Sequence, residues 1–185
     1  MSNKKLELGV IGGAEKRAIE IVHYDDSWPI KYAEHENKIR EALGESIINI
    51  EHIGSTSVPH LSAKPIIDIL LVVKDSSKED EYINKMESAG YQLRVREPDF
   101  HEHRMFRTVD RDVHIHILSS GSTEIERYIV FRNRLRTNEF DRNSYEKLKL
   151  KLAKNQWGSM NEYAEAKTEI IEQIIASENE NRGSA

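Results

Sequence analysis

Apolar residues recur in two rhythms along this chain, and the change between them falls near Gly121. Before it, short blocks alternate between strand and helix spacing; after it, only helical spacing remains. Residues 18–24 (Ala-Ile-Glu-Ile-Val-His-Tyr) follow a Gly12-Gly13 loop and predict a first strand. Asp26-Ser27-Trp28-Pro29 predicts a helix start, with Ser27 able to cap and Pro29 suited to the first turn. That helix runs to about Leu43, carries Tyr32, Ile39 and Leu43 on its apolar face, and stops at Gly44. Residues 47–53 predict a strand, and 54–64 a loop of small residues with Pro59. Residues 66–73 are almost continuously aliphatic, as in a central strand buried on both faces. A helix over 78–89, stopped by Gly90, and strands over 91–95, 104–109 and 112–118 follow, with Asp110-Arg111 as a tight turn. Residues 123–137, 142–156 and 159–176 then predict three helices.

Strands first and helices last argue an α+β fold, a mixed sheet with the helices packed on one face or end. The 185 residues suit one domain over 18–176, after an N-terminal extension (1–17) and before a disordered polar tail (177–185). The most apolar run, 65–73, is too short to span a bilayer as a helix and contains Asp68. No apolar segment after Met1-Ser2-Asn3-Lys4-Lys5 marks a secretory signal, so a cytoplasmic protein without a membrane partner is expected.

Composition narrows the chemistry. With no cysteine, thiol catalysis, disulfides, cysteine zinc sites and iron–sulfur clusters are excluded. The net charge of −5 argues against a duplex nucleic acid as partner. The charge is unevenly spread: residues 126–154 carry +5, leaving −10 elsewhere. An acidic chain with one basic stretch suggests an anionic ligand of limited size.

The densest segment is Glu51-His52-Ile53-Gly54-Ser55-Thr56-Ser57-Val58-Pro59, followed by Ala63-Lys64-Pro65-Ile66-Ile67-Asp68. A strand ending in Gly54-Ser55-Thr56-Ser57 can aim amides and hydroxyls at one point, where glycine lets the backbone approach a ligand. The spacing is not that of the Gly-x-x-x-x-Gly-Lys phosphate loop, and a plain tight connection is the competing reading. Asp68 weighs for function, because a carboxylate inside an aliphatic strand needs a partner: Lys64, His52, the loop amides or a metal.

Residues 52–69 closely resemble the signature of the GrpB family, a group of predicted nucleotidyltransferases. Tyr24-Asp25-Asp26-Ser27-Trp28-Pro29, His114-Ile115-His116, Phe131-Arg132-Asn133-Arg134-Leu135-Arg136 and the helices through Lys167 extend the likeness over about residues 18–175. One departure is His60, where the family usually carries glycine. The resemblance implies a nucleotidyltransferase-like mixed sheet flanked by helices, here with a C-terminal three-helix segment. It also implies that Gly54 and Ser55 hold the phosphates of a nucleoside triphosphate or other phosphorylated small molecule, and that Asp68 is the first metal-binding carboxylate. The metal would be Mg²⁺ or Mn²⁺. The second carboxylate should fall at position 70, where Leu70 stands, and the third on a later strand, where His114 and His116 stand instead.

His114 and His116 lie two apart, so both share one strand face with Asp112 and suit a metal or a phosphate. With Asp68 they form the expected metal set, and Asp68 with His116 the expected catalytic pair. His101 and His103 read as a solvated loop. A histidine-triad hydrolase reading fails on Asp112, where the first of the three histidines would stand, and a Ser55–His52 hydrolase lacks the elbow spacing. Arg132 and Arg136, four apart, are candidate phosphate ligands beside Thr56, Ser57 and Lys64, with Arg107 a further candidate. Lys147, Lys149, Lys151 and Lys154 read as a solvated helix face, opposite Tyr145, Leu148 and Leu152. Metal-dependent transfer of a nucleotidyl or phosphoryl group to an acceptor is the leading reading. The alternative is a non-catalytic nucleotide-binding or folding-assistance module on a degenerate transferase scaffold.

Overall fold

The computed structural model describes residues 9–13 and 18–183. Helix α1 (Trp28–Leu43) leads into β1 (Asn49–Ile53) and β2 (Ile67–Val73), then the short helix α2 (Ile83–Ser88) and strands β3 (Tyr91–Glu97), β4 (His103–Thr108) and β5 (Val113–Ser119). Four helices complete the chain: α3 (Thr123–Thr137), α4 (Glu139–Leu152), α5 (Met160–Glu165) and α6 (Thr168–Gly183). The strands form one mixed sheet in the order β1-β2-β5-β4-β3; β2 and β5 run parallel and every other pair antiparallel. The fold is α+β, as the order of strands and helices predicts.

Strand β2 is central and apolar on both faces because each face has its own cover. Ile67, Ile69, Leu71 and Val73 join Val113, Ile115 and Ile117 of β5 under Trp28, Ile39 and Leu43 of α1 and Met86 of α2. On the opposite face Leu70, Val72 and Leu118 pack against Ile125, Tyr128 and Ile129 of α3. A third cluster (Val58, Leu61, Leu135, Tyr145, Ile174) ties the loop after β1 to α3, α4 and α6. This second face, half sheet and half helix, holds the candidate site.

Four local expectations change. Residues 18–24 form no strand; their backbone pairs in a single isolated bridge, Val22 with Ala63, because the segment runs against the 61–65 connection rather than along a strand. Ser27 does not cap α1: its backbone is already helical (φ −76°, ψ −17°), and its own N–H donates to Asp25 Oδ1 at 2.8 Å. The stretch 159–176 is two helices, α5 and α6. Residues 177–183 of the expected tail continue α6, where Glu178 accepts from Arg134 at 3.0 Å, and residues 184–185 lie outside the described residues. Of the expected N-terminal extension, residues 1–8 and 14–17 lie outside the described residues, while residues 9–11 bond along β3.

His60 adopts φ 66°, the left-handed region where a side chain costs about 1–2 kcal/mol and glycine costs little. After allowing for glycine's extra freedom in the unfolded chain, His60→Gly is expected to stabilise the protein by up to about 1 kcal/mol. A thermal scan should show a rise in Tm of about 2–4 °C; a fall would contradict this account.

Candidate functional site

The site grows from the register of the two parallel strands. Pairing sets Asp68 beside His114 and Leu70 beside His116, so carboxylate and imidazoles share the face that looks toward the C-terminal helices. Asp68 Oδ1 lies 3.6 Å from His114 Nδ1 and 3.7 Å from His116 Nε2. Antiparallel pairing brings Ile53 opposite Asp68, so the chain leaving β1 passes directly over the carboxylate. Gly54 makes that passage possible. Its φ is +69°, and a Cβ there would collide with Asp68 Oδ2 and come within 2.9 Å of the Asp68 Cβ.

Burial would raise the Asp68 pKa, but contact with His116, then the charges of His114, His116 and Lys64, outweigh it and hold the carboxyl below its usual range. His114 is itself pushed down to about 4, burial outweighing the neighbouring carboxylate, so it is neutral at pH 7. The anion is therefore supported at neutral pH by the His116 contact and the lysine field rather than by a His114 cation. His116 Nδ1 lies 3.0 Å from His103 Nε2, and His103 Nδ1 lies 2.7 Å from Glu97 Oε2. Asp68, His116, His103 and Glu97 thus form a continuous chain of contacts, with hydrogen bonds at its last two steps and a longer approach at the first.

Across from Asp68 stand residues of α4, α5 and α6. Lys149 Nζ lies 3.0 Å from Ser55 Oγ and donates to the Ser62 carbonyl at 2.5 Å. Burial, with Lys167 and Lys64 nearby, lowers its pKa to about 7, against the opposing pull of Glu146. The Tyr163 ring carries two ammonium groups, Lys64 at 5.0 Å and Lys167 at 4.6 Å. Burial lowers the Lys167 pKa, against the opposing pull of Asp68. These groups, with Tyr128 and Tyr145, line a cleft of about 390 Å³. Arg127 also lines it, tied to Glu172 at 2.5 Å and Glu124 at 2.9 Å.

The structure thus brings together Gly54, Ser55, Thr56, Lys64, Asp68, His114 and His116. Thr56 is buried, its hydroxyl donating to the Ile66 carbonyl at 3.0 Å and meeting His52 at 3.1 Å, so it braces the loop. Ser57 turns back to the Gly54 carbonyl at 2.6 Å. Neither arginine lines the cleft. Arg132 is buried between Glu51 (2.8 Å) and the His52 carbonyl (2.9 Å), and Arg136 forks onto the Ser57 carbonyl (2.9 and 2.8 Å). Both pin the loop from behind. Asp112 meets Thr108 at 2.6 Å instead of the histidine face. Two residues read as solvated are buried: His103, in the chain from Asp68 to Glu97, and Lys149, only 2% exposed. Lys149 follows Tyr145 at i+4 on the helix's inward side, a spacing that could have flagged it.

The residues do not fit the paired-ion clamp that the family resemblance implies. Such chemistry needs anionic ligands bridging the ions. Leu70 is fully buried among aliphatic neighbours, and Glu124 and Glu172 are bound to Arg127. The two imidazoles face Asp68 and lysines surround it. Among the described residues no group of three or more His, Asp or Glu is placed to hold a metal ion.

Comparison with known proteins gives a consistent picture. The family model described as GrpB protein matches residues 18–177. A UPF0157 protein of Halalkalibacterium halodurans is 46% identical over 88% of this chain and 83% of its own length. One from Streptomyces coelicolor is 44% identical over 88% and 85%. The crystal structure of the conserved protein GrpB from Enterococcus faecalis superposes with a TM-score of 0.78 at 32% identity, covering 88% of this chain and 99% of that one.

His114 and His52 both fall to about 4 on folding, burial being the larger cause in each. The unfolded chain therefore binds more protons between about pH 6.5 and 4, so stability is full above that window and lost as pH falls through it. Thermal unfolding across pH 4–8 should show this decline, and His114→Gln should flatten it. An unchanged slope in the variant would overturn the assignment.

Proposed function

The chain belongs to the GrpB family, and on that footing we propose that it is a nucleotidyltransferase-like protein. It binds a nucleoside triphosphate or similar phosphorylated small molecule in the cleft between sheet and C-terminal helices, and passes a nucleotidyl or phosphoryl group to an acceptor. One observation carries this reading: Lys64, Lys149 and Lys167 converge on the Gly54-Ser55 turn and Asp68 in a single cleft. Lysine ammonium groups are point-charge partners for phosphate, and fixed cations in a low-dielectric cleft stabilise charge developing on transferred oxygens.

In this reading Lys64 and Lys167 neutralise the phosphates, while Gly54 lets them approach the backbone. The Tyr163 and Tyr128 rings give the ligand's organic part an apolar wall. Asp68, held anionic, accepts the acceptor's proton, and the His116–His103–Glu97 chain takes it toward the surface, where Glu97 is 35% exposed. Orientation and electrostatics, rather than bridging carboxylates, supply the catalysis. A second reading, binding without turnover, is favoured by Leu70, an apolar residue where the transferase pattern has a carboxylate.

Titration calorimetry with ATP, GTP, CTP, UTP and pyrophosphate, with and without Mg²⁺ or Mn²⁺, tests the binding. At least one ligand should bind, and Lys167→Ala should weaken it about 10- to 100-fold, the loss of one charged contact. Arg132→Met should instead lower stability by about 2 kcal/mol, leaving Glu51 and the His52 carbonyl unpaired, with affinity retained. Binding unaffected by Lys167→Ala, or none at all, would overturn the proposal. Binding without product across acceptor alcohols and phosphates would favour the second reading.

A further inference from the structure

Ser55 and Lys149 meet in a way that phosphate binding does not require. The serine is the first residue of a 3-10 turn, Ser55–Ser57, directly after Gly54, and it faces the cleft. Its Oγ lies 3.0 Å from Lys149 Nζ. Lys149 is fixed from behind by the Ser62 carbonyl at 2.5 Å, and Tyr145 lines the cleft beside the pair. A nucleophile within hydrogen-bond reach of a base, with that base oriented by a third group, is the arrangement of activated serine chemistry.

We propose that Ser55 is a nucleophile and Lys149 its general base, so that the cleft works through a covalent seryl intermediate. Lys149 suits the task for reasons visible around it. It is 2% exposed, its helix offers Glu146 and Tyr145, and Lys64 and Lys167 face it from the loop and from the α5–α6 junction, with Asp68 beyond. Two cations and burial work against its protonation, and Glu146 works for it. A neutral amine can donate to the Ser62 carbonyl and keep its lone pair for the Ser55 hydroxyl; an ammonium cannot.

The substrate class is a phosphoric anhydride, which rests on the reading of the cleft as a phosphate site. Ser55 Oγ forms a bond to phosphorus and its proton passes to Lys149 Nζ. The bridging P–O bond breaks, and its electron pair leaves with the departing phosphate. An acceptor hydroxyl or water then attacks phosphorus and passes its proton to Asp68, the Ser55 Oγ–P bond breaks with its electron pair on the serine oxygen, and Lys149 returns its proton to restore the hydroxyl. No carboxylate pair is needed for this step, consistent with Leu70 at its buried position. It also separates the roles of the three lysines: Lys64 and Lys167 hold charge, and Lys149 moves a proton.

An alkyl fluorophosphonate tests the nucleophile without relying on nucleotide affinity. Ser55 Oγ attacks its phosphorus, fluoride leaves with the P–F electron pair, and the hydroxyl proton goes to Lys149. Intact-protein and peptide mass spectrometry should find one adduct, on Ser55, absent from Ser55→Ala. Lys149→Met, an apolar residue of similar length, should slow labelling at least about 100-fold, the size of a general-base contribution. In the unaltered protein the labelling rate should rise through about pH 7, as Lys149 loses its proton. This profile keeps the test decisive even if Lys149→Met fails to fold. No adduct on Ser55, equal labelling of a folded Lys149→Met, or a rate flat from pH 5.5 to 8.5 would each overturn the dyad. Nucleotide binding measured on the same samples separates its failure from that of the phosphate site. Labelling without nucleotide binding would keep the dyad and reject the substrate class; binding without labelling would do the reverse.

Discussion

Burying a carboxylate among aliphatic side chains costs several kcal/mol unless donors and cations face it, and the surroundings of Asp68 follow from that constraint. The parallel pairing of β2 with β5 brings His114 and His116 to it. The residue opposite Asp68 on β1 leads into Gly54, whose missing Cβ leaves room for the carboxylate itself. Lys64 and Lys167 supply positive charge from the loop and from the α5–α6 junction. The helices of the C-terminal half therefore do more than cover the sheet. With Lys64 of the loop, they bring basic side chains to the point where a negative charge is buried.

The same arrangement explains why charge is split along the sequence. Basic residues in the helices serve two jobs that sequence position does not distinguish. Arg132 and Arg136 spend their donors on backbone carbonyls and Glu51 behind the loop, fixing the turn from the outside. Lys149 reaches the turn from the inside, at Ser55 and Ser62. Planar guanidinium forks suit bracing, where several carbonyl or carboxylate oxygens lie in fixed directions; a compact amine suits a buried position where the proton can be given up. A loop held rigid on one side presents its hydroxyl reproducibly on the other.

Periodicity carried most of the architecture. The run over 66–73 reads as a doubly covered strand because both of its faces are apolar, and the switch to helical spacing after Gly121 places the helical layer. The misreadings have local causes. Residues 18–24 have strand composition but lie beside a loop, and alternation alone does not reveal whether a partner strand is present. Ser27 has the residue type of a cap, yet Asp25 takes that corner of the chain first. The break between α5 and α6 at residues 166–167 carries neither glycine nor proline, so no breaker residue announced it.

For the site, the order of residues along the chain was enough to single out the Gly54-Ser55 turn, the anomalous carboxylate at Asp68 and the histidines at 114 and 116. Their chemistry is unusual for their surroundings wherever they sit. It was not enough to separate working cations from bracing ones, because a lysine or arginine on a helix looks alike in sequence whether it faces water, a carbonyl or a cleft. That distinction rests on which side of the 54–65 loop each helix passes, and the packing of Val58 and Leu61 against Leu135, Tyr145 and Ile174 sets it. These contacts join residues about 75 to 115 positions apart; apolar packing is non-directional and leaves no local pattern to mark its partner.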